Sequence, residues 1–136
     1  MKNNQTRILF GRMTFLVLAI MFTLSVTVQI FLAGMAIFVS PENWVKHIIF
    51  VHLFGFNIPV LMLIFAIVGV FPRWVYWQLF GVLVLIFLMY FTANITGALP
   101  WAGALHPVIA VVLFILSCSI VLRVWKLISA NKKGEE

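Results

Sequence analysis

Three histidines, His47, His52 and His106, are the side chains of this sequence best suited to chemistry, and each lies in or beside a long apolar run. Imidazole is costly in hydrocarbon, so one placed there is either hydrogen-bonded or used, as an iron ligand or a proton carrier. The same cost attaches to Gln29, Tyr90 and Asn94, which interrupt other apolar runs. Two imidazoles facing each other across a gap with apolar walls make the donor set of a b-type haem. In the stretch HIIFVHLFG, His47 and His52 are five residues apart, a helical turn of about 140° net, so only one of them is expected to point squarely inward. His47, beside Lys46 and three residues after Trp44, reads as an interfacial side chain that reaches water. His52 lies deeper, with Gly55 and Pro59 following on the same face. The glycine leaves room for something flat or bulky, and the proline is expected to kink the helix.

The elements that must position these residues follow from composition. Of 136 residues 65% are hydrophobic and only 9% charged, which excludes an ordinary soluble domain and points to a chain embedded in the lipid bilayer. Apolar runs at about 13–39, 45–70, 74–96 and 105–125 are each long enough to cross it. They make one four-span domain, 1–128, followed by a polar tail, 129–136. Backbone polar groups in lipid must be paired within the segment, so the spans are helices, and short connections make neighbours antiparallel. The expected fold is an all-α, up-down-up-down four-helix bundle. Lys2, Arg7, Arg12, Arg73, Arg123, Lys126, Lys132 and Lys133 fall at one end of it and only Lys46 at the other, which places both termini in the cytoplasm. The five tryptophans lie at the two interfaces. The net charge of +6 thus reports topology, and no nucleic-acid partner is expected. Cys118 is alone, which excludes an internal disulfide.

Measured from Arg12, Arg73 and Arg123, the residues Gln29, Tyr90, Asn94, His52 and His106 lie at heights of roughly 25 to 32 Å. They form one polar layer in the outer half, with a contribution from every span. The reading drawn from this layer is haem b held between spans 2 and 4 by His52 and His106. Gln29, Tyr90, Asn94 and Gly55 complete the cofactor-binding set, and the expected work is one-electron transfer with a quinone or a redox partner protein. The alternative is a cofactor-free bundle in which His52, His106, Gln29 and Asn94 hydrogen-bond one another, or which binds a small ligand such as a quinone. A small transporter fits the size, but proton-coupled export needs a carboxylate in the membrane, and Glu42, Glu135 and Glu136 all lie outside the spans. No catalytic motif is present, and CxxCH is absent, so covalent haem attachment is excluded.

Gln29-x-x-Leu32-Ala33-Gly34 in the first span, His52 with Gly55 in the second, and Leu105-His106-Pro107-Val108 opening the fourth resemble a family of small, uncharacterised bacterial four-span membrane proteins. The resemblance implies a multi-pass protein of the bacterial plasma membrane and singles out Gln29, His52 and His106, but implies no activity. A looser likeness to membrane b-type cytochromes rests on the paired histidines alone.

Overall fold

The computed structural model describes residues 2–133, and among them all regular structure is helical. Helix α1 spans Lys2–Phe38, α2 Asn43–Phe54, α3 Asn57–Val68, α4 Arg73–Ile95, α5 Pro100–Ala104 and α6 His106–Lys133. The pairs α2–α3 and α5–α6 each make one span, so four segments are long and apolar enough to cross a membrane. Helix α1 begins well before the apolar run, because no proline separates Lys2 from Met13 and the single Gly11 does not interrupt it. It ends before Ser40-Pro41, whose proline cannot donate to a continuing helix.

The helix of the second span is interrupted at Gly55 and Phe56, where α2 gives way to α3. Pro59 explains the position, since it has no N–H for the Gly55 carbonyl four residues earlier. The fourth span begins at Pro100, which occupies the first helical position of α5. A turn at Leu105 follows, so His106 opens α6 with Pro107 in its first turn.

The bundle closes as a square in which α1 packs on α3 and α6, and α4 on α6 and α3. The contact stripe recurs at intervals of four and three residues: Phe15, Ala19, Phe22 and Val26 on α1; Val75, Leu79, Val82 and Ile86 on α4; Leu113, Ser117, Ile120 and Val124 on α6. That spacing is the seam of helices packed at shallow angles. At the basic end α1 and α3 almost touch: a Cβ added at Gly11 would stand 2.5 Å from the backbone nitrogen of Gly69. Beside it, Arg12 Nε donates to the Gly69 carbonyl at 3.0 Å and caps the end of α3. Arg123 lies over the Trp74 ring at 4.1 Å, tying the far end of α6 to the start of α4.

Packing is different at the opposite end. There α2 stays on α1, but no Cα of α2 lies within 8 Å of a Cα of α4 among the described residues. The break at Gly55 and Phe56 thus separates a part of the second span that packs on α4, helix α3, from a part that does not, helix α2.

Candidate functional site

Where α2 and α4 are out of backbone contact there is a cavity of about 340 Å³, in the half of the bundle away from the basic end. Its lower walls are apolar, supplied by Phe22, Val26, Phe54, Ile86 and Leu113. Ile48 and His52 on α2, and Ala93 and Asn94 on α4, are both exposed and part of its lining, so it has an open side between these two helices. Gln29, His52, Gly55, Tyr90, Asn94 and His106, the set singled out from the sequence, all border this one space.

Gln29 is 7% exposed and meets α2 in a reciprocal pair. Its Nε2 donates to the His47 carbonyl at 2.9 Å, and its own carbonyl lies 3.1 Å from His47 Nδ1. A carbonyl oxygen only accepts, so Nδ1 carries the proton, and in the neutral ring Nε2 keeps its lone pair. Gln29 Oε1 is buried without a hydrogen-bond partner.

His106 repeats the arrangement on the other side. Its Nδ1 lies 3.1 Å from the Met89 carbonyl of α4 and 3.2 Å from Thr92 Oγ1. The Thr92 hydroxyl donates to the Leu88 carbonyl at 2.8 Å, leaving its oxygen free to accept from the imidazole. Nε2 is again the unprotonated nitrogen of the neutral ring.

His52 is placed differently. It is exposed, at the open side, with Nδ1 3.3 Å from the Tyr90 hydroxyl. That hydroxyl donates its proton to the Val51 carbonyl at 3.4 Å and so accepts from His52 Nδ1–H, and Tyr90 bridges the gap that the α2 and α4 backbones leave. Its ring stacks on Phe56 at 5.5 Å, nearly parallel. Gly55 makes this seat possible: a Cβ there would lie 3.3 Å from the Tyr90 hydroxyl and 2.7 Å from the Val51 carbonyl. The flat group for which Gly55 leaves room is, in the first instance, a side chain of this chain. Asn94 is exposed, and its amide turns back to the Tyr90 carbonyl.

Two sequence expectations are corrected by these contacts. His47 is half-buried, borders the same cavity as His52 and is bound to α1, so it is more than an interfacial side chain. The inward stripe Met62, Pro59, Gly55 and Val51 extends back to His47 at helical spacing, and this signal was available in the sequence. Nor do His52, His106, Gln29 and Asn94 hydrogen-bond one another; each is partnered by a carbonyl or a hydroxyl instead. Thr92, buried beside His106, escaped sequence reasoning because a threonine near a span end has no distinctive pattern. No group of three or more metal-ligating side chains occurs among the described residues.

Residues 29–98, just over half of the 136, match a family of unknown function, DUF6220. The chain belongs to this family. The DUF6220 match opens on Gln29 and takes in His47, His52, Gly55, Tyr90 and Asn94, and so covers the α2 and α4 walls of the cavity and, on α1, only Gln29 and Ile30. His106 lies beyond it, so the family match covers less of the chain than the motifs quoted above suggested. No curated protein and no solved structure matches the chain.

Proposed function

We propose that this small membrane protein of the DUF6220 family holds haem b in its outer cavity, between an imidazole of α2 and His106 of α6, and passes single electrons. The observation that carries the reading is the convergence of His47, His52 and His106 on one largely apolar space, with His106 held by a backbone carbonyl so that its Nε2 is free. An Nδ1–H fixed in this way is how proteins orient a ligating imidazole. Haem b supplies reversible one-electron chemistry at its iron. The chain's part is to fix two ring planes, exclude water with Phe22, Val26 and Leu113, and leave the open side between α2 and α4 toward the bilayer. The basic end, with Arg12, Arg73 and Arg123, is read as the cytoplasmic end, which puts both termini in the cytoplasm and the cavity near the outer face of a bacterial plasma membrane.

The test is the absorption spectrum of protein purified from haem-replete cells, before and after reduction. A Soret band that sharpens on reduction, and is absent from His106→Ala, is the expected result. Protein that is colourless, and stays so after hemin is added, rejects the reading.

A second reading rests on Gln29 Oε1, a buried acceptor with no donor. Together with the Nε2 lone pairs it suits a ligand that brings hydroxyl donors, such as a bilayer-dissolved hydroquinone entering between α2 and α4. Saturable binding of a short-chain hydroquinone to colourless protein, weakened in Gln29→Leu, supports that reading over haem.

A further inference from the structure

The haem reading leaves open which histidine of α2 binds opposite His106, and the following inference rests on that reading. We propose that His47, and not His52, is the second axial ligand.

His47 and His106 are held in the same way. Each is half-buried, and each gives its Nδ1–H to a backbone carbonyl of a neighbouring helix, Gln29 on α1 for one and Met89 on α4 for the other. Neither Nε2 makes a hydrogen bond among the described residues, so two lone pairs remain for a metal. His47 is the more firmly fixed, because Gln29 Nε2 also grips its main-chain carbonyl at 2.9 Å. Ring and backbone are both pinned to α1, and Trp44 meets the ring edge-on at 5.4 Å. Such a ring loses little further freedom when it takes up a ligand.

The two also share a second, smaller cavity of about 170 Å³, walled in part by Gln29, Ala33 and Ala110. His52 does not border that space. Ala33 on α1 and Ala110 on α6 keep this space beside the two imidazoles free of longer side chains. His52, by contrast, is exposed at the open side, and its Nδ1 meets only a tyrosine hydroxyl at 3.3 Å. The Tyr90 proton goes to the Val51 carbonyl, so His52 Nδ1–H donates to a side-chain hydroxyl rather than to a backbone carbonyl, and its ring is held less firmly than those of His47 and His106. The sequence pointed to His52 through depth, whereas the hydrogen bonds point to His47 through orientation.

The experiment uses the full chain purified in detergent, with absorption and electron paramagnetic resonance spectra of the ferric form. Wild-type protein is expected to show a six-coordinate, low-spin signal. His47→Gly is expected to lose it, with a high-spin signal in its place, and millimolar free imidazole is expected to restore the low-spin form. The rescue separates a ligand from a residue that merely supports the fold. Loss of the low-spin signal in His52→Ala, with His47→Gly unaffected, overturns the assignment while leaving the haem reading intact. Wild-type protein that takes up no haem overturns both.

Discussion

At the scale of single residues, the half of the bundle away from the basic end is held by side chain to carbonyl bonds, from Gln29, His47 and His106, and by the histidine–hydroxyl pairs His52–Tyr90 and His106–Thr92. Interhelical bonds of this kind contribute about 0.6 to 2 kcal/mol each in membranes. Gln29 gains one such bond through Nε2 yet buries Oε1 without a donor. Replacing it by leucine removes both the gain and the penalty and keeps the volume. Gln29→Leu is therefore expected to change stability by less than about 1 kcal/mol, whereas Gln29→Ala, which also opens a void, is expected to cost about 1 to 3 kcal/mol. Unfolding in mixed micelles of denaturing and mild detergent measures both. A second residue-scale prediction concerns Val70, which has φ 47° after the end of α3 and is 54% exposed. A β-branched side chain in the left-handed region costs about 1 to 2 kcal/mol. Val70→Gly relieves that strain with little loss of packing and is expected to raise stability by about 1 kcal/mol in the same assay.

At the scale of elements, the bend in the second span decides whether there is a site at all. Pro59 withholds the hydrogen bond that would carry α2 straight into α3, and beyond that point the second span is out of backbone contact with α4. In Pro59→Ala the missing donor returns, and the two segments are expected to straighten and narrow the cavity. Spin labels at Ile49 and Phe91, both exposed and on α2 and α4, with Cys118 replaced first, are expected to report a shorter separation in the alanine variant. An unchanged distance would mean that Tyr90, wedged against Phe56 and bonded to Val51, props the helices apart instead.

At the scale of the whole molecule, the two ends of the bundle differ in charge and in packing. The end with Arg12 and Arg123 is closed by the Gly11–Gly69 approach and by the contacts of both arginines with neighbouring spans. The other end carries Lys46, Glu42 and the cavity. Topology reporters fused to either terminus are expected to register as cytoplasmic, and replacing Arg7, Arg12, Arg73 and Arg123 together by glutamine is expected to produce mixed orientation. Four spans with short connections make the two termini share a side whichever way the protein is inserted, so opposite readouts at the two termini would contradict the bundle itself.

What the sequence determined by itself was everything that depends on hydropathy and backbone chemistry. Four apolar runs in a chain with 9% charged residues can only be helices in a bilayer, and Ser40-Pro41, Pro72 and Pro100 mark their ends because proline restricts the backbone wherever it stands. Height along a helix is also a linear quantity, 1.5 Å per residue. For that reason the polar layer of Gln29, His52, Tyr90, Asn94 and His106 was legible, and these residues do border one cavity. Direction and partnership are not linear. That His47 turns to the Gln29 carbonyl, that His106 finds Met89 and Thr92, and that Gly55 is filled by Tyr90 depend on which helices are neighbours and how far α2 leans from α4. Only tertiary packing decides these, because a hydrogen bond is settled by tenths of an ångström and tens of degrees, and a pattern of residue types carries neither.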